Sequence, residues 1–333
     1  MSPEAAPAHR SGLLDRYSAL VIAFAAALWA TDAYFRPALA KELSASQIVL
    51  VESLIVSLCL LPLAPRALRE LRHTAWRAWL ALVVIAAGPQ AFATVLFTAS
   101  LTHAGSSPGV LSEVYLLYLL QPVFGTAMAW IFLRERRKRL FWPLAAVALG
   151  GAALIVFSTN AVAPRAQLVA AGFVVGAVVL WAAGTVLGRY ALGGVSFTTT
   201  TAMRFTLALP FLLALMLTDP AAAHHHYAWA QLPSFLGIAL IPGLLAMVLY
   251  YRALSSTPAS ISSIAELGYP AAFFLILSLP APVGYAVPLQ PLEVVGAVLL
   301  VAAVTALNVF KRREGVTTHA SRELHLASEP SSG

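Results

Sequence analysis

Six ionisable side chains fall within or beside the most apolar stretches of this chain: Asp32, Arg36, Glu52, Glu113, Arg204 and Glu266. An Asp, Lys or Arg at the centre of a membrane helix costs about 2.5–3.5 kcal/mol on insertion scales. Such groups are therefore expected to face a bundle interior, a water-filled cavity or one another. Asp32 and Arg36 are four residues apart, on one face of a helix, and can pair locally. Arg36 and Glu52 also lie near the ends of their apolar runs, where a long side chain reaches the interface. Arg36 is thus open to three readings: cavity, pair or interface. The carboxylates Asp32, Glu113 and Glu266 point to more chemistry. Asp32 is about halfway along its run, Glu113 precedes Pro122 by nine residues, and Glu266 lies one turn before Pro270, where a broken helix would present carbonyls and an open face. Carboxyls sharing a low-dielectric cavity can exchange a proton when a solute arrives. At least one of the three is expected to do so.

Aromatic residues suggest the walls of such a cavity. Trp29 shares a helix face with Asp32, and Tyr115, Tyr118, Trp181, Tyr250 and Tyr269 lie in other apolar runs. Aromatic faces beside carboxylates suit an organic cation or the ammonium end of an amino acid, and Arg204 or Arg36 would meet a carboxylate. Tyr and Trp also form belts at membrane interfaces. Both roles stay open for each aromatic except Trp29, whose position favours the cavity. Other chemistries find little support. No Walker loop, HExxH or GxSxG phrase occurs, and the triplet His224–His226 has no carboxylate or cysteine at metal-ligand spacing. No cofactor, metal or catalytic residue is expected. An intramembrane enzyme would need a nucleophile or a metal cluster, and a non-transporting scaffold would not need so many internal carboxylates.

The elements that position these residues follow from composition. Of 333 residues, 60% are hydrophobic and 11% charged, against roughly 25% charged in soluble domains, and the mean hydropathy is +0.81. The apolar residues come in blocks near the ~20 residues that cross a bilayer as a helix. Candidate spans are 18–40, 44–63, 77–99, 108–132, 141–158, 168–190, 196–217, 232–253, 259–279 and 291–310. Pro89, Pro122, Pro242 and Pro270 are expected to kink helices rather than end them, and Gly150, Gly151, Gly172 and Gly176 to allow close packing. The first run exceeds the 7–15-residue core of a signal peptide and reads as a retained helix. Residues 1–17 and 311–333 are expected to be a polar leader and a disordered tail. The net charge of +7 lies in short loops: with a cytoplasmic N-terminus, that side receives Arg66, Arg69, Arg72, Arg77, the run 134–139 and Lys311 to Arg313. This asymmetry places both termini in the cytoplasm and makes membrane lipid, not nucleic acid, the expected partner of these charges.

The chain also repeats itself. Leu28–Trp29–Ala30 matches Leu180–Trp181–Ala182, with Asp32 matched by Gly184, and "GPQAFATVLFTASL" matches "IPGLLAMVLYYRAL", pairing Pro89 with Pro242. Each half then holds five helices, and the odd number turns the second half upside down. That is the inverted repeat of secondary transporters. The expected fold is an all-α polytopic membrane protein of ten transmembrane helices in two inverted five-helix repeats, 18–158 and 166–310.

These phrases resemble the drug/metabolite transporter superfamily, in its EamA-domain branch of ten-helix bacterial transporters. The helix-opening phrases "LWATDAYFRPAL" and "LWAAGTVLGRYAL" carry the resemblance, as do the "y-AL" phrases "VLFTASL" and "VLYYRAL". So do Pro122, Trp130 and Glu135 in "LLQPVFGTAMAWIFLRER" and Glu266 and Pro270 in the matching second-half run. The chain departs from the pattern at Glu52, where the family commonly has arginine, and the second half has no acidic match to Glu135. The resemblance implies a cavity lined by helices one, three and four of each repeat and export of small metabolites from the inner membrane. Amino acids or related compounds are the expected cargo, with organic cations and drugs as the alternative, protons as the candidate coupling ion, and a monomer or homodimer as the assembly.

Overall fold

The computed structural model describes residues 13–104, 118, 120–135, 137, 139–157, 168–280, 290–292, 294–307 and 309–310. Among these every regular element is helical. In chain order the apolar helices are α1 Ser18–Leu39, α2 Ala45–Leu71, α3 Trp76–Ser100, α4 Leu120–Phe132, α5 Phe141–Gly151, α6 Gly172–Ala191, α7 Phe197–Thr218, α8 Trp229–Leu254, α9 Ala259–Ile276 and α10 Val294–Leu307. All but α4, α5 and α10 are long and apolar enough to cross a membrane, so the chain is a multi-pass membrane protein. A single helical turn, Leu13–Arg16, precedes α1. The other residues of the expected leader and the tail 311–333 lie outside the described residues.

The helices break where the charged groups sit. In α1 the amides of Ala30 and Thr31 bond carbonyls three residues back, at 3.1 Å each, and Thr31 Oγ1 donates to Leu28 O at 2.7 Å. A second segment then starts at Asp32. α9 stops at Ala265 and resumes at Gly268, leaving Glu266 at the interruption. The kink expected at Pro270 is therefore displaced four residues earlier. Pro270 is the third residue of the resumed segment, a first-turn position where a missing N–H is least costly; the start of the helix that holds Pro122 lies outside the described residues. Pro89 and Pro242 lie deep inside their helices, and there the chain widens into π-turns, Ala86–Phe92 in α3 and Ala239–Leu245 in α8. A proline ring collides with the carbonyl four residues back, and the wider turn relieves that collision. α2 also departs from expectation. It runs to Leu71 rather than 63, because Pro62 and Pro65 each enter at the start of a new segment, placing Arg66 and Arg69 on a helix rather than a loop.

Packing joins the two halves reciprocally. α6 packs on α3 and α4, while α1 packs on α8 and α9; α2 lies against α7, and α4 against α9. The start of α2 meets the end of α7 through Ser46 Oγ and Asp219 Oδ2, 2.7 Å apart. The end of α2 meets the start of α7 through Glu70 and Ser196, so α2 and α7 run antiparallel. At the first of these ends burial opposes the ionised form of Asp219. Hydrogen bonds from the Ser46 and Ser44 hydroxyls and from the amides of Ala221 and Ala222 outweigh it and hold the carboxyl below its ordinary range. The tie is complete above about pH 4 and is lost as pH falls through that depressed value.

Gly268 and Gly125 permit close approaches between helices. A Cβ on Gly268 would lie 2.4 Å from the backbone oxygen of Ala23, and one on Gly125 2.1 Å from Ser263 Oγ. Of the glycines singled out in the sequence, Gly151 and Gly176 face close neighbours, but Gly150 and Gly172 have nothing within 4 Å. Gly268→Ala is expected to lower stability by about 1–3 kcal/mol through overpacking against backbone that cannot yield. Gly172→Ala is expected to be neutral or to gain up to about 1 kcal/mol of helix propensity. Thermal unfolding in detergent checks both, and equal midpoints for the two variants would contradict the packing account.

Candidate functional site

The interrupted helices and π-turns converge on a buried cavity of about 120 Å³, roomy enough for several waters. Of the twelve ionisable and aromatic residues named from the sequence, ten line it: Trp29, Asp32, Arg36, Glu52, Tyr118, Trp181, Arg204, Tyr250, Glu266 and Tyr269. Glu113 and Tyr115 lie outside the described residues.

Arg36 is neither at the interface nor in a simple pair. It is 4% exposed, and its guanidinium holds three partners on three helices: Asp32 Oδ2 at 2.5 Å, Glu52 Oε2 at 2.8 Å and Thr98 Oγ1 at 2.8 Å. Glu52 is 5% exposed, which also removes the interface reading for it. The capping box of Ser44 and Gln47 sets α2 two turns below Glu52, and the break at Thr31 turns Asp32 inward. Among the described residues Asp32 Oδ1 is buried without a hydrogen-bond partner.

Arg204 is hydrogen-bonded to neutral groups, with the Glu52 carboxylate within electrostatic reach. Its Nε donates to Gln90 Oε1 at 2.7 Å and its Nη1 to Tyr251 OH at 3.1 Å; among the described residues it has no ion-pair partner. Glu266 is the converse. It is 1% exposed and accepts from Tyr250 OH at 2.7 Å, Thr185 Oγ1 at 3.0 Å, Ser262 Oγ at 3.2 Å and the Gln121 amide. No cation lies within ion-pair distance of it among the described residues. Gln121 Oε1 is a second buried acceptor without a protein partner. Rings fill the space between these groups. Trp29 stacks at a tilt on Tyr250 with centroids 5.2 Å apart, and Tyr118 on Tyr269 at 4.7 Å and on Trp181 at 6.1 Å.

The π-turns belong to the site. The carbonyl of Pro89 accepts from Trp181 Nε1 at 3.0 Å, which fixes that ring on the cavity wall. A Cβ on Gly184 would lie 2.8 Å from the Pro89 ring. Gly184, the repeat's counterpart of Asp32, must therefore be small, and the halves differ there for a packing reason as well as a chemical one.

Sequence reasoning overlooked Gln90, Gln121, Thr94 and Thr185, all of which line the cavity. A signal was present: Gln90 directly follows Pro89 and Gln121 directly precedes Pro122, and an amide beside a mid-membrane proline needs a polar neighbour. Among the described residues no group of three or more His, Cys, Asp or Glu is placed to hold a metal ion. Chemically, the cavity offers an anionic corner, a cationic corner and aromatic faces between them.

A comparison with curated proteins finds no match. One solved crystal structure, described only as that of a protein, shares the fold. It has a TM-score of 0.65 and 15% sequence identity, over 89% of this chain and 98% of that one. The EamA-like transporter family matches twice, over residues 16–157 and 168–309. With two family repeats, membrane-length apolar helices and a polar cavity between its halves, the chain belongs to the EamA-like transporter family, whose members move small molecules across membranes.

Proposed function

We propose that this protein is a secondary active transporter that works by alternating access and exports amino acids or closely related amino compounds, with protons as the coupling ion. The observation that carries this reading is the separation of charge in the cavity: Arg204 is met by neutral groups at one corner and Glu266 by neutral donors at the other. A zwitterion supplies the missing carboxylate and ammonium, and the Trp29, Tyr250 and Tyr118 rings suit the side chain and the cationic end. The antiparallel run of α2 and α7, and the matched π-turns at Pro89 and Pro242, support ten membrane helices in two inverted five-helix halves. The arginines at the ends where α2 stops and α7 begins support a cytoplasmic assignment for that face and for both termini in the inner membrane.

One observation favours a second reading. Three carboxylates (Asp32, Glu52, Glu266) and two guanidiniums (Arg36, Arg204) line the cavity, a net charge of −1 when all are ionised. That excess favours an organic cation. A thermal-stabilisation screen of the purified protein against amino acids, their decarboxylated amines and quaternary amines separates the two, followed by counterflow in proteoliposomes. Amino acids are expected to stabilise and exchange, and Arg204→Gln to remove their advantage over the matching amine. Exchange of quaternary amines alone, indifferent to Arg204→Gln, would establish the cation reading instead.

A further inference from the structure

α2 and α7 hold matching places in the two repeats, and each starts on a serine cap, Ser44 and Ser196. In α2 the cap closes within the helix: Ser44 Oγ accepts from Gln47 N, and Gln47 Oε1 accepts from Ser44 N at 3.0 Å. This is the reciprocal box of a Ser followed three residues later by Gln. α7 has Thr199 at the position of Gln47, and its shorter side chain carries no such acceptor. The Ser196 N–H is taken instead by Glu70, at the end of α2, at 2.5 Å. The same carboxylate accepts from Ser196 Oγ at 2.7 Å and Thr199 Oγ1 at 2.5 Å.

α9 repeats the arrangement. Its cap position is Pro258, which gives no side-chain cap. Glu135, just beyond α4, accepts from Ala259 N at 2.8 Å, Ser260 N at 3.1 Å and Ser260 Oγ at 2.7 Å. Two carboxylates of the first half thus close two helix N-termini of the second half, both at the face where the chain begins. Each also meets the positive end of a helix dipole. At the opposite face the corresponding carboxylate, Asp219, takes the Ser46 hydroxyl. Gln47 Nε2 donates there to the carbonyls of His225 and Ala222 and Gln231 Nε2 to Glu42, but the Ser44 amide is satisfied within its own helix by Gln47.

We infer that Glu70 and Glu135 form a two-point latch that keeps the N-terminal face closed, each serving as a helix cap supplied across the gap between the repeats. Parting the halves at that face strands the Ser196, Ala259 and Ser260 amides, although Ser196 Oγ keeps the Thr199 amide, whereas parting them at the other face leaves the reciprocal box of α2 whole. The latch therefore adds to the stability of the state closed at the N-terminal face. Glu70 and Glu135 are positioning residues that touch no solute. The inference rests on the alternating-access reading.

The test uses full-length protein in nanodiscs with Cys59→Ala, which removes the sole native cysteine, and a membrane-impermeant maleimide. Ala202→Cys reports the N-terminal face, where α7 packs on α2, and Ile48→Cys the opposite face, where α2 packs on α8; both positions are buried. Glu70→Ala, alone and with Glu135→Ala, is expected to raise modification at Ala202→Cys several-fold and to lower it at Ile48→Cys. The decisive variant is E70A/T199Q, which returns a Ser–x–x–Gln cap to α7 without joining the halves. A rise at Ala202→Cys that persists in this variant supports the latch. No rise in Glu70→Ala, a return to the parent level in E70A/T199Q, or an equal rise at both reporters overturns it, the last two marking a plain capping or stability role. A disulfide between Ser46→Cys and Asp219→Cys tests the underlying reading separately. Clamping that face must raise modification at Ala202→Cys if access alternates, whatever Glu70 does.

Discussion

Glu266→Gln is expected to reduce transport by roughly 10- to 150-fold while leaving the fold intact. Charge-assisted hydrogen bonds contribute about 1.5–3 kcal/mol each, and removing the charge forfeits that increment for a cationic group of the solute. Glutamine keeps the shape of the side chain, and its carbonyl can still accept from two of the four donors, Tyr250, Thr185, Ser262 and Gln121, that converge on the carboxylate. Stability should therefore change little. The measurement is the initial counterflow rate in proteoliposomes for the solute found by the stabilisation screen, with the unfolding midpoint of the same preparation alongside. If Glu266 is also the proton site, the residual flux of the variant will no longer respond to an imposed pH gradient. Wild-type flux that still follows the gradient in Glu266→Gln would remove this residue from both roles.

The second large effect concerns stability. Arg36→Met is expected to cost about 3–5 kcal/mol, because it leaves the Asp32 and Glu52 carboxylates buried without their shared cation and removes the Thr98 contact. Asp32→Asn alone should cost much less, since the Arg36–Glu52 pair at 2.8 Å survives. The triple variant D32N/R36M/E52Q should recover most of the loss, as neutralising a whole buried ionic group is often tolerated where breaking it is not. Folded yield after mild heating, read by size-exclusion chromatography, distinguishes the three. A triple variant no more stable than Arg36→Met would show that Arg36 acts through its packing rather than its charge.

Much of the architecture was legible in the chain. The apolar blocks located the described helices to within a few residues, since hydropathy over ~20 residues is a local property and the bilayer imposes the length. The Pro89–Pro242 match reported a real structural equivalence, because a proline deep inside each of these two helices is accommodated by the same local widening. The limits were also physical. α2 outran its expected end because prolines at the start of a segment do not stop a helix. α9 broke at Glu266 and not at Pro270 for the same reason. Gln90 and Gln121 were passed over as ordinary polar residues, although each gains its role from a partner more than 100 residues away, at separations of 114 and 145.

Hydropathy, charge placement and repeat phrases determined by themselves that this is a multi-pass membrane protein of the EamA type, and that Asp32 and Glu266 lie too deep to be surface groups. They could not decide what those residues bind, because partner choice inside a bundle depends on which helix faces meet. Only the tertiary structure resolved the three readings of Arg36, joining it to Asp32, Glu52 and Thr98 across separations of 4, 16 and 62 residues. Only it supplied Glu266 with its four neutral donors, and tied the starts of α7 and α9 to carboxylates of the other half of the chain. A buried polar group must find its partner wherever the packing brings one, and that constraint acts through space rather than along the sequence.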